Sequence, residues 1–281
     1  MAKKNIALLH PGEMGAAVGA SLLARGQRVV WVSDRRSAAT RARARSSGLE
    51  EIETLDRAVK AADVVLSICP PGGALELARE VASAGFGGVY VDANAIAPAT
   101  TREIGLIVEA AGAVFVDAGI IGPPPTSKDR TRLYLCGRSS ENVAALFTST
   151  SLQAIVLDGA VGSASALKMC YAAWTKGTTA LLAGIRALAR SEAVDTSLLN
   201  EWKLSQPDLL EESDAVAVKM RKAWRWVAEM EEIAASFEAA GLPGGFHLAA
   251  AELYSRLASF KNGAESPSLT RVTAVLLEGR R

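Results

Sequence analysis

The strongest constraint on this chain is an alternation. Asn5–Leu9 (NIALL), Arg28–Val32 (RVVWV), Asp63–Ile68 (DVVLSI), Gly88–Asp92 (GVYVD) and Val114–Asp117 (VFVD) are short runs of strand-forming residues. Helical patterns over 13–25, 37–46, 73–84 and 98–111 lie between most of them. Strands that alternate with helices build βαβ units and a mostly parallel sheet. Thr131–Cys136 and Gln153–Leu157 read as two more strands around a short helix near 140–147. After Asp158 the pattern changes. Gly162–Ser191 is one long helical run rich in Ala and Leu, and helices follow over 197–210, 216–240 and 246–260. Pro243-Gly244-Gly245 separates the last two. The expected organisation is an α/β domain over 1–158, with a mostly parallel doubly wound sheet, then an all-α domain over 159–281. A length of 281 residues, 49% of them hydrophobic, suffices for two cores.

Charge excludes some functions. Lys plus Arg number 31 and Asp plus Glu 30, so no broad basic field exists to hold nucleic acid or an acidic membrane. Arg35, Arg36, Arg41, Arg43 and Arg45 form the one local cluster, and Arg41, Arg43 and Arg45 read as a solvated helix face. No run reaches the roughly 18 apolar residues of a membrane span. The apolar run near the N-terminus is too short for the core of a secretory signal. The three cysteines, Cys69, Cys136 and Cys170, lack paired spacing, and the two histidines, His10 and His247, are isolated. Reduced thiols, a cytoplasmic location and no metal site are expected.

The first strand runs straight into His10-Pro11-Gly12-Glu13-Met14-Gly15 and then a helix. This is the spacing of Gly-x-Gly-x-x-Gly with His10 in the first glycine's place. Glycines there let backbone amides approach a pyrophosphate, and the helix N-terminus adds partial positive charge. His10, Pro11, Gly12, Glu13 and Met14 are therefore candidate cofactor contacts, and the domain reads as a Rossmann-type dinucleotide binder. The His10 ring must turn away from the phosphates or touch them. An acid ending the second strand would bond the ribose hydroxyls of NAD and repel a 2′-phosphate. That position falls on Ser33, followed by Asp34, Arg35 and Arg36. A hydroxyl beside guanidinium groups suits a phosphate. NADP is favoured, and Asp34 keeps NAD open. Cys69 and Pro70 end a strand at the sheet's C-terminal edge, where ligands of open α/β sheets bind.

These residues carry a resemblance. The chain resembles the β-hydroxyacid dehydrogenase and 6-phosphogluconate dehydrogenase superfamily over about two thirds of its length. Gly12-Glu13-Met14-Gly15 is similar to that family's nucleotide motif. Val91 to Pro98 (VDANAIAP) is similar to its substrate loop, and Phe115 to Gly122 (FVDAGIIG) to the strand entering its Ser-Gly-Gly loop. Gly162 to Lys168 is similar to the helix bearing its catalytic lysine. The resemblance implies that Lys168 is the acid/base of hydride transfer between an alcohol and a ketone, in the manner of a 3-hydroxyacid substrate. A lysine beside a nicotinamide can have its pKa lowered toward neutrality and serve in both directions. Ser165, Tyr171, Ala172 and Thr175 share a helical face with Lys168 that is polar enough to line a pocket, and Lys176 is either a surface or interface lysine or a holder of an anionic substrate group. Asn94, Ala95, Ile121 and Gly122 are further substrate candidates, Asn94 also toward the cofactor.

Departures from the family pattern bear on the substrate. Tyr171 and Ala172 stand where two asparagines are usual, so Tyr171 could act as a donor or second acid. Ile121 replaces the loop serine, and Pro123, Pro124 and Pro125 follow Gly122 without an N–H to offer. A substrate larger and less polar than a short hydroxy acid is expected, with Trp202, Trp224, Trp226, Phe246 and Tyr254 either lining it or packing a helical core. His247 reads as structural. Two alternatives stand beside the dehydrogenase: an imine reductase or reductive aminase on the same scaffold, and a non-catalytic NADP-binding sensor. The resemblance also implies a homodimer through the helical half.

Overall fold

The computed structural model describes residues 3–126, 131–263 and 265–278. They form two compact units, Met1–Met169 and Cys170–Arg281.

The first unit is built on one eight-stranded sheet. Its strands are β1 (Asn5–Leu9), β2 (Arg28–Val32), β3 (Glu50–Ile52), β4 (Val64–Ser67), β5 (Val89–Asp92), β6 (Val114–Ile121), β7 (Thr131–Cys136) and β8 (Leu152–Val156). Their spatial order is β3-β2-β1-β4-β5-β6-β7-β8. Every neighbouring pair is parallel except β6 and β7. Helices α1 (Glu13–Ala24), α2 (Ala38–Ser46), α3 (Leu55–Ala61), α4 (Ala74–Ser83), α5 (Pro98–Ala110) and α6 (Ser140–Leu146) connect the strands. The expected doubly wound α/β fold is present.

Successive residues of a strand face opposite sides of the sheet, and here both sides are buried. Ile6, Leu8, Val29, Trp31, Leu66 and Val91 pack on one face. Ala7, Leu9, Val30, Val65, Tyr90 and Phe115 pack on the other. Each fully buried large aliphatic side chain contributes about 1.5–3 kcal/mol. Burial on both faces explains why these strands read as continuous apolar runs.

β3 and α3 depart from the sequence expectation, which left 50–61 unassigned. β3 has three residues, Glu50, Glu51 and Ile52, with the glutamates exposed. An edge strand of that composition has no apolar signature.

A row of polar residues crosses the sheet, at the ends of β4, β5 and β7 and midway along β6. Ser67, Asp92, Asp117 and Cys136 are register partners on β4, β5, β6 and β7. All four are buried.

The long helix α7 (Ser163–Ser191) runs from the first unit into the second. The second unit continues with α8 (Asp195–Ser205), α9 (Asp208–Lys219), α10 (Ala223–Ala239), α11 (Gly245–Arg256) and α12 (Leu269–Glu278). Pro207 divides what the periodicity alone read as a helix over 197–210, since proline has no N–H for the ladder. A 3-10 turn at Met220–Lys222 interrupts the run read as 216–240. Helix α12 was not anticipated. The buried Arg186 guanidinium ties this unit together, donating to Asp195 at 2.7 and 3.1 Å, to Ser213 Oγ at 2.5 Å and to Asp214 at 3.2 Å. No described helix is long and apolar enough to cross a membrane.

Candidate active site

β1 delivers His10 to the sheet's C-terminal edge, and the chain turns at once into α1. Gly12 N–H donates to the His10 carbonyl at 2.8 Å. A Cβ on Gly15 would stand 2.6 Å from that same carbonyl, so the tight turn admits only glycine there. Gly12 caps α1, and no atom lies within 4 Å of where its Cβ would be. Backbone and helix N-terminus are thus open on that side. Pro11 is buried, Glu13 exposed and Met14 half-buried.

His10 holds a left-handed backbone, φ +68. Its ring turns to Arg36, whose Nη1 contacts His10 Nε2. A guanidinium can only donate, so Nε2 accepts and the ring proton sits on Nδ1. Neither His10 Nδ1 nor Arg36 Nε finds a partner among the described residues, though both are buried. Burial, then the Arg36 charge, pushes the His10 pKa down to about 4. Ser33, at the end of β2, is buried, and Asp34 and Arg35 beyond it are exposed and paired at 3.5 Å. Arg36 N–H closes the turn on the Ser33 carbonyl at 3.2 Å. Arg41 and Arg43 are not the plain solvated face they read as. Arg41 donates to the Ser33 carbonyl at 2.8 Å and Arg43 to the Pro11 carbonyl at 3.3 Å, so α2 braces both loops.

The next loops are stapled by Asn94. Its Oδ1 accepts from Cys69 N–H at 2.6 Å, and Nδ2 donates to Ser67 Oγ at 3.0 Å and Asp92 Oδ2 at 2.8 Å. Both amide protons are taken inside the protein, which leaves the half-buried Ala95, not the Asn94 amide, at the loop surface. Burial, with a smaller push from Asp117, lifts the Asp92 pKa to about 7 against the opposing Asn94 bonds. Burial lifts the Cys69 thiol to about 12, which removes it as a nucleophile. Pro70 is exposed beside it.

Asp117 and Gly119 set the lysine helix. Asp117 Oδ2 accepts backbone N–H bonds from Gly162 at 2.8 Å and Ala164 at 3.0 Å, and the Cys136 thiol at 3.1 Å. Ser165 donates its N–H at 3.2 Å and its hydroxyl at 2.6 Å to Asp117 Oδ1. Thr101 Oγ1 lies 2.7 Å from the Ser165 hydroxyl. A carboxylate thus satisfies the orphan donors of the α7 N-terminus and complements its dipole. A Cβ on Gly119 would stand 2.6 Å from the Ala164 carbonyl and 3.2 Å from Lys168 Cβ. The missing side chain lets α7 lie directly on β6, with the stem of the half-buried Lys168 over it. Beyond, Ile121 is buried, and Gly122 (φ +124) turns the chain into the proline run, whose Pro123 carbonyl accepts from Thr131 at 2.6 Å.

In the second unit, Tyr171 is 43% exposed and Thr175 Oγ1 donates to its carbonyl at 3.2 Å. Lys176 pairs with Glu229 at 2.9 Å, the side chains only 14% and 10% exposed. Its own carbonyl accepts from Tyr254 OH at 2.6 Å. His247 is buried edge-on to Phe237 and Phe246, which accords with a structural place. Trp202 and Tyr254 are buried, while Phe246 is exposed.

Asp92, Asp117 and Gly119 carry structural roles that the motifs alone do not assign, and Ser165, expected on the Lys168 face, spends its hydroxyl on Asp117. A signal for the first two was present: VYVD and VFVD each end an apolar run in a carboxylate.

A doubly wound sheet whose first strand enters a glycine turn and helix N-terminus defines a dinucleotide-binding domain of the oxidoreductase kind. More narrowly, residues 5–155 match the NAD binding domain of 6-phosphogluconate dehydrogenase, and the chain belongs to that family. Residues 189–257 match a domain of unknown function, DUF1932. A probable 3-hydroxyisobutyrate dehydrogenase of Mycobacterium tuberculosis is 27% identical over 172 residues, 59% of this chain and 57% of that protein. The chain therefore matches little more than half the length of that relative. A solved protein of unknown function, described as structurally similar to 3-hydroxyacid dehydrogenases, is 27% identical with TM-score 0.66, over 92% of this chain and 98% of that one. A reductive aminase of Aspergillus terreus, in complex with NADPH and ethyl levulinate, is similar in fold at TM-score 0.59 and 17% identity, over 99% and 100%.

Proposed function

We propose that this protein transfers a hydride between NADP(H) and the carbonyl carbon of an alcohol/ketone pair of the 3-hydroxyacid kind, with Lys168 as general acid/base. The observation that carries this reading is the seat of Lys168. Its stem lies over Gly119 on β6, on a helix whose N-terminus is held by the buried Asp117.

The residues present fit the dinucleotide. Gly12 leaves the α1 N-terminus open to a pyrophosphate, and His10 Nδ1–H and Arg36 Nε are buried donors still without partners among the described residues. Arg36, with Ser33 and Arg35 at the end of β2, supports NADP over NAD, while the exposed Asp34 is the group that would favour NAD. Bound nicotinamide supplies or accepts the hydride. Lys168 moves the accompanying proton, giving it to the substrate oxygen in reduction and taking it in oxidation. Ala95, Ile121 and Gly122 bound the substrate on the loop side in this reading. Tyr171 and Thr175 follow Lys168 on α7 at helical spacing. The Lys176–Glu229 ion pair would have to open before Lys176 could hold a substrate anion.

The test is NADPH oxidation by the purified protein against a panel of ketones and 3-oxo acids, with Lys168→Ala as control. Turnover lost about a thousandfold in the variant supports acid/base catalysis; unchanged turnover refutes the assignment. A second reading, an imine reductase, is favoured by Ile121 and the Pro123–Pro125 run, which offer a substrate carboxylate few donors. Turnover with ketone plus amine but not with ketone alone would select it. NADPH binding with no turnover of either would select a sensor.

A further inference from the structure

We infer that His10 is a specificity-determining residue for the nucleotide: it acts as a positioning residue that holds Arg36 where the guanidinium meets the phosphate on the adenosine ribose. This rests on the NADP(H) reading above and adds a role that the glycine normally found in the motif could not supply.

The geometry has three parts. First, position 10 is a backbone site made for glycine, with φ +68. A β-carbon there carries a strain that a glycine would not. Second, the side chain carried at that cost turns to one partner, the Nη1 of Arg36. Third, the contact leaves Arg36 Nε and His10 Nδ1 buried without partners among the described residues. Buried polar groups are ordinarily satisfied, so two orphaned donors beside the turn mark where an acceptor belongs. Arg36 Nε is the donor that meets the anionic oxygen.

The neighbouring charges decide how the ring serves. Arg43 reaches the Pro11 carbonyl and Arg41 the Ser33 carbonyl, and no carboxylate among the described residues bonds Arg36. Only a neutral imidazole can accept from a guanidinium, and the depressed basicity of His10 beside Arg36 keeps it neutral at physiological pH. A long arginine otherwise loses rotamer freedom on meeting a phosphate. His10 removes part of that loss in advance, and the gain falls on NADP(H), which bears the phosphate, rather than on NAD(H).

Calorimetric titration with NADPH, NADH and 2′-phosphoadenosine tests this in the whole chain. His10→Gly suits the backbone, so folding is not at risk. It is expected to weaken NADPH and 2′-phosphoadenosine about tenfold while leaving NADH within about twofold. His10→Gln keeps an acceptor and should restore most of the preference. Arg36→Ala should lose it, and the double variant should bind no worse than Arg36→Ala alone. An unchanged NADPH:NADH ratio in His10→Gly overturns the inference, as do losses that add in the double variant, which would mean that His10 contacts the nucleotide by itself. Failure of the unaltered protein to bind either nucleotide would instead refute the cofactor reading beneath it.

Discussion

The Ser165 hydroxyl on α7 donates to Asp117 on β6 at 2.6 Å, and the same carboxylate accepts the backbone N–H groups of Gly162 and Ala164. A side chain from the sheet thereby caps a helix whose leading donor, the Gly162 N–H, lies 45 residues later in sequence. Asp117→Ala would leave these buried donors unsatisfied. It is expected to destabilise the protein by about 3 kcal/mol, with Ser165→Ala costing about 1 kcal/mol. Denaturant unfolding measures both, and a cost below that of Ser165→Ala would contradict the capping role.

Gly119 is the contact on which α7 rests. Gly119→Ala places a methyl 2.6 Å from the Ala164 carbonyl, which cannot retreat without moving the helix. A stability loss of about 1–3 kcal/mol follows; with Lys168 as the proposed acid/base, turnover is expected to fall further than nucleotide affinity, because the lysine moves with the helix. Parallel measurement of kcat and NADPH binding separates the two effects.

The Lys176–Glu229 pair is nearly buried. Removing one partner takes this ion pair from a nearly buried charge, so Lys176→Met or Glu229→Gln should each cost about 3 kcal/mol. Replacing both, as Lys176→Met with Glu229→Leu, should recover most of that. A double-mutant cycle by urea unfolding reads the coupling, and additive losses would show that the ions do not depend on each other.

Two buried groups give stability opposite slopes with pH. His10 titrates near 4 when folded and at its ordinary 6.5 when unfolded, so the unfolded chain binds more protons between those values. Stability from this group falls as pH drops from 6.5 toward 4. Asp92, lifted to about 7, runs the other way: the folded chain keeps a proton that the unfolded chain releases, and this contribution is lost as pH rises through 7. His10→Gln should therefore melt progressively higher than the parent below pH 6.5, and identically above it. Melting curves from pH 4 to 8 check the crossing point.

Helix α7 exposes Tyr171, Trp174, Leu181 and Leu188 at spacings of three, seven and seven residues, with Trp174 72% exposed. Such a stripe is an interface in waiting, and a homodimer is the expected state. Light scattering after size exclusion should give a dimer that Trp174→Glu dissociates. A monomeric parent at micromolar concentration would end this reading.

How far the sequence spoke depends on the physics of each element. β1, β2, β4 and β5 were legible because both faces of the sheet are covered, so each run is apolar apart from one residue at one end. β3 was silent because two of its three residues face solvent. The glycine turn was legible from spacing, but the destination of the His10 ring was not, since it depends on Arg36, 26 residues away. The resemblance singles out Lys168, whereas the seat of its helix was hidden: Asp117 gains meaning only when β6 and the start of α7 meet. Asn94 shows the opposite failure. An amide in a loop reads as an open anchor, yet Cys69, Ser67 and Asp92 occupy it.

Trp31 lies fully buried in β2, and the other four tryptophans, 174, 202, 224 and 226, all belong to the second unit. The chain therefore carries a built-in pair of optical channels. Emission from Trp31 reports the sheet alone, and a Trp31→Phe variant silences that channel, so light from the remaining indoles follows the helices. Whether the two units melt in one transition or in two can be read from the protein's own fluorescence, without a label.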